Sequence, residues 1–427
     1  MKNIKRFIED HKLSANYINT RQIVDLFITE MQNGLVGKES TLRMIPTYIE
    51  AENQFLTEVP AVAIDAGGTN FRSALIRFNK KGKLEMSNLM NARMPGLDGE
   101  ISKAEFFKII AGYVRPNADL SERIGFCFSY PTEIIPNKDG KLLQFTKEVQ
   151  APGVVGELIG KNLLEALGME EKQVVLLNDT VATLLAGKSA SYSHEYDSFI
   201  GFILGTGTNT CYIESNSNIL KTSNLDLSKS QIINIESGSF GKVPQTDIDK
   251  SFDNTTANPG NYKLEKMFAG GYFGDLCLTA LKSAAKEGVF SDSAAVGLTS
   301  INSLSSEDAN NFVSNPETYT GSLVNCIRNP SDKEGFSEII ECLINRSAKL
   351  VAANLAAVIL KTDKGKSQKK PILITIEGTT FYKMHNLRSH FEMYLKEYLK
   401  GEKQRFYEFI EVQQSSLVGA ALAALIN

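Results

Sequence analysis

The chain has 427 residues, 42% of them apolar, and a formal net charge of −3 with Lys and Arg spread along it. That length exceeds one ordinary core, which predicts two domains or one domain carrying a large inserted lobe. The charge leaves no basic face for a nucleic-acid backbone or an anionic membrane, so a small molecule is the expected partner.

In chain order, the first fifty residues carry helical spacing, with Ile18, Ile23, Phe27, Ile28 and Met31 on one side of a helix that GLVGKES ends. TLRMIPTYIE follows as a short segment, and from Pro60 the pattern turns to three strands, AVAIDAGG, FRSALIRF and KLEMSNLMNARM. AEFFKIIAGYV reads as a helix, IGFCFSYP as a buried strand, GELIGKNLLEALG as a helix closed by Gly, VVLLND as a strand, and TVATLLAGKSA as the helix leaving it. FIGFILGTGTNTCYI at 199–213 repeats the opening theme of strand, Gly-Thr turn and strand, which suggests an internal duplication. Residues 280–335 are polar and low in pattern, 336–361 read as a long apolar helix, and KTDKGKSQKKP reads as a solvated loop. PILITIEGTTF is again a strand with a Gly-Thr turn, and LVGAALAALI closes the chain as a small-residue helix.

Five cysteines, odd in number and without CxxC spacing, predict reduced thiols of a cytoplasmic protein. Four scattered histidines predict neither a structural zinc site nor a Ser-His-Asp centre. The opening MKNIKRFIEDHKLS has no continuous apolar stretch, so neither signal peptide nor anchor is expected there, and the absence of an apolar run of about 18 residues predicts no membrane segment.

Three glycine-threonine turns carry the chemistry. In DAGGTN the glycines let backbone N–H groups approach a phosphate, Thr69 and Asn70 add donors, and Asp65 is placed to hold a hydrated divalent ion. Alone, such a turn is equally a decorated hairpin, and it matches neither GxxxxGK[ST] nor GxGxxG. LGTGTN at 204–209 and EGTT at 377–380 are its counterparts, and three such turns at strand ends are what a nucleotide held between two lobes requires. In LLNDTVATL an Asn-Asp pair ends a strand and opens a helix, so Asp179 is either a general base or an N-cap.

With DAGGTNFR, FSYP, FTKEVQAPGVVG, LLNDTVATLLAG, GTGTNTCYIE, INIESGSFG, NPGNYKLEKMFAGGYFGDL and GAAL in this order, the chain resembles a eukaryotic-type hexokinase of the actin-like ATPase superfamily, as a single catalytic unit from about residue 41 to the end. The resemblance implies a two-lobed α/β fold, ribonuclease H-like, with a ligand cleft between a small domain (58–177 plus 413–427) and a large one (1–57 plus 178–412). It implies ATP-dependent phosphorylation of a hexose, glucose first, at the 6-hydroxyl, with Mg²⁺ bound with ATP and Asp179 as general base. Sugar contacts carry over to Ser129, Thr146, Lys147, Asn178, Asp179, Asn209, Glu236 and Glu265. Nucleotide contacts carry over to Asp65, Gly67, Gly68, Thr69, Asn70 and Arg72, to Gly205 and Thr206, and to Gly378 and Thr379, with Asp65 also an outer-sphere Mg²⁺ ligand.

A hexose is a ring of donor-acceptor hydroxyls, and carboxylates, amides and a lysine are the lining it calls for. Four departures bear on this. The family's Glu-Trp-Gly is Glu236-Ser237-Gly238 in a chain without tryptophan, its DGS is Glu377-Gly378-Thr379, its GSGKGAAL is SSLVGAAL, and QAPG replaces ATG beside the sugar. A sugar-sensing or scaffolding homologue with little turnover, and a kinase preferring fructose, mannose or an amino sugar, remain as alternatives.

Overall fold

The structure, a computed structural model, describes residues 3–50, 54–145, 149–191 and 194–426. Two sheets form its frame. The first contains β1 (Pro60–Ala66), β2 (Asn70–Phe78), β3 (Leu84–Arg93), β4 (Arg123–Phe128) and β5 (Gln173–Leu177) in the order β3-β2-β1-β4-β5. The second contains β6 (Ser198–Leu204), β7 (Thr208–Ser215), β8 (Ser230–Asn234), β9 (Ile372–Glu377) and β10 (Tyr407–Ile410) in the order β8-β7-β6-β9-β10, with Ile45–Pro46 added beside β8. In each sheet the first three strands pair antiparallel, and the first, fourth and fifth run parallel. The repeat read from the turns therefore extends to strand order and direction.

Eight helices matter for the site and its support: α1 (Thr20–Leu35), α2 (Lys103–Ala118), α3 (Ile159–Leu167), α4 (Asp179–Ala190), α5 (Phe273–Lys286), α6 (Ser306–Ser314), α7 (Pro330–Thr362) and α8 (Ser415–Leu425). On α1 the expected stripe is real for Ile23, Phe27 and Met31, which are buried, whereas Ile18 precedes the helix and Asn19 caps it. Helices α4 and α8 pack on each other between the sheets, α8 covering β1 and β4 while α4 covers β6 and β9. Small residues in both, such as Ala182, Ala186, Ala420 and Ala423, are what allow that close stacking.

Helix α7 begins at Pro330, with Asn329 accepting from the Asp332 N–H, six residues before the apolar pattern does. By length and composition it is apolar enough to cross a membrane, but 83% of that apolar stretch is packed inside the protein. Arg346 on α7 is fully buried and makes a two-bond pair with Asp249, at 3.0 and 2.7 Å. The polar 280–335 interval is not structureless: it holds Asp292–Thr299 and α6.

The parallel strands of both sheets deliver their carboxyl ends to one place. Asp65 and Ser129 emerge there from the first sheet with the Asn178–Asp179 pair, and Gly205 and Glu377 from the second. Ligand sites of α/β sheets form beyond such ends.

Candidate active site

A cleft of about 1540 Å³ lies between the sheets and is lined by all three glycine-threonine turns. In the first turn Gly67 N–H donates to the Asn70 carbonyl at 3.0 Å, and the Tyr130 hydroxyl donates to the Gly67 carbonyl at 2.8 Å. Asp65, 6% exposed, accepts two bonds from Arg72, its cross-strand neighbour. Burial pushes the Asp65 carboxyl above its ordinary range, against the pull of Arg72, and Asp179 adds to the push.

The second turn docks on a glycine pair. Gly270 N–H donates to the Gly205 carbonyl and Gly271 N–H to the Thr206 carbonyl, each at 2.8 Å, and the Thr380 hydroxyl reaches the Gly205 carbonyl at 2.8 Å. The third turn has Gly378 at φ 119, where a Cβ would overlap the Leu204 carbonyl, so a side chain is excluded by shape and by backbone. Beside it Glu377 accepts hydroxyl bonds from Thr183 and from Ser415 at the head of α8.

At the other end of the cleft a polar cluster forms. Asn209 Nδ2 donates to Asn234 Oδ1 at 2.8 Å, Glu236 Oε1 at 3.2 Å and Asn178 Oδ1 at 3.3 Å. Asn234 Nδ2 adds a 2.8 Å bond to Glu236 Oε1. Burial raises the Glu236 carboxyl, and the amides of Asn234 and Asn209 partly counter it. Glu265, on the short helix Lys263–Lys266, accepts from the Thr208 N–H at 2.8 Å, and burial pushes it up to about 7. A Cβ on Gly207 would stand 2.7 Å from Glu265 Oε2, which explains the second glycine of LGTGTN.

Asp179 lies between these ends. It is the first residue of α4 and not its cap: Asn178 is the N-cap and accepts from the Thr180 N–H at 2.9 Å, while Asp179 Oδ1 accepts from the same N–H at 2.8 Å. Asp179 raises the carboxyls of Asp65, Glu236 and Glu377, so it is within electrostatic reach of both ends.

The cleft brings together Ser129, Asn178, Asp179, Asn209, Glu236 and Glu265 with Asp65, Gly67, Gly68, Thr69, Asn70, Arg72, Gly205, Thr206, Gly378 and Thr379. Thr146 and Lys147 lie outside the described residues. The lining also contains residues that the sequence did not assign to the site: Tyr130, Tyr262, Tyr272, Ser416, Glu307 and Asn311 on α6, and Glu377, which the sequence places only within the third turn. Tyr262 stood inside the quoted NPGNYKLEK, and Ser305 with Asp308 three residues on was an N-cap signal for α6.

Two family models, both described as hexokinase, match residues 3–189 and 199–426. The chain belongs to the hexokinase family. Hexokinases are kinases that phosphorylate sugars with ATP, and the enzyme class of the chain is set accordingly. Hexokinase-3 of Oryza sativa subsp. japonica is 26% identical over 95% of this chain and 87% of its own length. Hexokinase-1 of Schizosaccharomyces pombe is 27% identical over 95% and 87%, and a hexokinase-like 1 protein of Arabidopsis thaliana is 27% identical over 99% and 91%. Among solved structures, the hexokinase of Schistosoma mansoni complexed with glucose superposes with a TM-score of 0.80 at 23% identity, over 99% of this chain and 98% of that one. A ROK hexokinase from Thermus thermophilus gives 0.53 at 18% identity over 86% and 98%. The two-lobed α/β fold expected of a hexokinase is thus the fold of this chain.

Proposed function

We propose that this hexokinase-family chain transfers the γ-phosphoryl group of ATP to the 6-hydroxyl of a hexose, with glucose the first candidate and Asp179 as general base. The observation that carries the reading is the place of Asp179, between the Asn209–Glu236–Glu265 cluster and the glycine-threonine turns. Carboxylates and amides of the cluster match a ring of hydroxyls, and the turns offer N–H donors to phosphates. Phosphoryl transfer asks mainly for alignment, charge neutralisation and one base for the attacking hydroxyl.

Mg²⁺ would enter bound with ATP, since among the described residues no group of three side chains is placed to ligate an ion directly. Asp179 raises the carboxyls of Asp65 and Glu377, and Asp65 adds to the rise at Glu377, a concentration of negative charge that a divalent ion would relieve. Asp65 and Glu377 would hold its water shell, and the ion supplies neutralisation of phosphate charge. Arg72 orients Asp65 and pulls its carboxyl down against the rise that burial causes.

Residues 58–177 plus 413–427 are taken as the small lobe and 1–57 plus 178–412 as the large one, with sugar binding drawing the lobes together and excluding water. Four of the five cysteines, Cys127, Cys211, Cys277 and Cys326, are buried and unpaired, in keeping with a cytoplasmic setting.

One observation favours a second reading, a sugar-binding homologue with little turnover. Val418, where the resemblance calls for a lysine, is 3% exposed and packs in the α4–α8 core, so that cation is missing beside the nucleotide. A coupled assay of glucose, fructose, mannose and glucosamine with ATP decides. Turnover of at least one supports the kinase; sugar binding by calorimetry with no turnover of any hexose replaces it with the second reading.

A further inference from the structure

Behind the sugar end of the cleft, one amide stands in an apolar core without a reason of stability. Asn354 lies on α7 within LVAANLAAVIL and has no exposed surface. Its Nδ2 donates to Thr210 Oγ1 at 3.1 Å, while its Oδ1 is buried and has no hydrogen-bond partner among the described residues. Leaving an acceptor unpaired in a core costs stability that an apolar side chain of the same shape would not.

The single bond it makes leads to the cleft. Thr210 Oγ1 is 3.0 Å from Ser237 Oγ, and Thr210 and Ser237 are both fully buried. Side chains alternate along β7, so Thr210 faces α7 while its neighbour Asn209 faces the cleft. The peptide N–H groups of these same two residues, Thr210 at 2.7 Å and Ser237 at 3.3 Å, donate to Asn209 Oδ1. With Oδ1 so engaged, Asn209 Nδ2 has to point toward Asn178, Asn234 and Glu236. A flipped amide would set N–H against N–H.

Glu236, next to Ser237, sits at φ 59 and ψ 50, a left-handed conformation that a glutamate adopts only when its surroundings impose it. Ser237 stands where the family resemblance calls for tryptophan, and its hydroxyl joins the Thr210–Asn354 chain in place of an indole.

We propose that Asn354, Thr210 and Ser237 form a buried positioning relay that fixes the polarity of the Asn209 amide and the backbone of Glu236, and so sets the affinity of this enzyme for its sugar. The inference rests on the sugar-binding reading of Asn209 and Glu236. None of the three touches substrate, so they are positioning residues.

The test uses Asn354→Leu, Thr210→Val and Thr210→Ser in the full chain, with sugar affinity measured by calorimetry, KM for sugar and for ATP by coupled assay, and Tm by thermal melting. Asn354→Leu is expected to raise sugar Kd and KM about three- to tenfold, to leave ATP KM unchanged, and to keep or raise Tm because the orphan oxygen is gone. Thr210→Val should weaken sugar binding to a similar degree, Thr210→Ser should restore it, and Asn354→Leu with Thr210→Val should be no worse than either alone. A merely structural role gives the opposite pattern, a lowered Tm with sugar Kd unchanged, and overturns the relay. If Asn354→Leu does not fold, the valine and serine pair at 210 carries the same test. Failure of the underlying reading looks different: the unsubstituted protein then binds and phosphorylates no hexose, whereas failure of the relay alone leaves it active and the variants indistinguishable from it.

Discussion

Arg72 holds Asp65 by a single carboxylate oxygen, with Nε at 2.9 Å and Nη2 at 2.5 Å, across the β1–β2 pair. Burial pushes the carboxyl up and the guanidinium pulls it down, so the charge on Asp65 depends on Arg72. In Arg72→Met the carboxyl should titrate higher still, and the acid limb of kcat/KM for ATP should move to higher pH. About a tenfold loss in kcat/KM is expected near neutrality, since one charge-assisted partner is removed from a site that is only partly exposed. An acid limb that stays in place in the variant, measured from pH 5 to 9, would argue against this role.

Two glycines of the glycine-threonine turns should respond in opposite ways. A methyl on Gly67 would meet only the Asn70 carbonyl at 3.6 Å, an ordinary contact, so the protein itself has room for it. Gly67→Ala is therefore expected to fold with wild-type Tm and to raise the KM for ATP about tenfold, because the methyl occupies the approach of the phosphates. Gly378→Ala combines φ 119 with an overlap at the Leu204 carbonyl, and a loss of about 2–4 kcal/mol in urea unfolding is expected. Equal stability of the two variants would contradict the assignment.

Much of this site was readable before the structure because its parts are local. The hairpin turns announce themselves by glycine and threonine between alternating strands, and the Asn178–Asp179 pair by its place at the end of an apolar run. What was not readable depends on residues distant in the chain. Helix α6 buries only Ala309, Phe312 and Val313, too little apolar content to register, yet it walls the cleft through Glu307 and Asn311. The start of α7 at Pro330 was hidden because its first turn is polar. Whether Asp179 caps its helix was open from sequence alone, since Asn178 beside it suits the same role; the extended backbone of Asn178 (φ −75, ψ 156), with Asp179 already helical, decides it.

That division of labour makes a prediction. With Asn178 as the cap, Asp179→Ala should leave α4 in place and the unfolding free energy within about 1 kcal/mol, while kcat falls by about 10²–10⁴ and sugar Kd changes little. Asn178→Ala should instead cost about 1 kcal/mol of stability and weaken sugar binding, because the same side chain also accepts from Asn209. Retained turnover in Asp179→Ala would remove it from the role of base.

Glu265 should link acidity to stability and, on the proposed reading, to sugar affinity. Burial is the main cause that raises its carboxyl to about 7, with Glu236 adding to the rise and the Thr208 N–H and Lys266 opposing it. The folded value lies above the unfolded one, so folding takes up a proton between about 4.5 and 7. Its contribution to stability is then fully present below about 4.5 and is lost as pH rises through about 7, amounting to about 1–3 kcal/mol by pH 8. On the proposed reading sugar hydroxyls would donate to the ionised form, so sugar affinity should run the other way, strengthening up to about tenfold per pH unit below 7 and levelling off above it. Glu265→Gln should flatten both slopes, with unfolding free energy at pH 8 closer to that at pH 5.5 and a weak, pH-independent sugar Kd. Urea unfolding and calorimetry at pH 5.5, 7 and 8 read the two trends separately. A sugar Kd that is flat with pH in the unsubstituted enzyme would mean that Glu265 meets the sugar already neutral, as a donor.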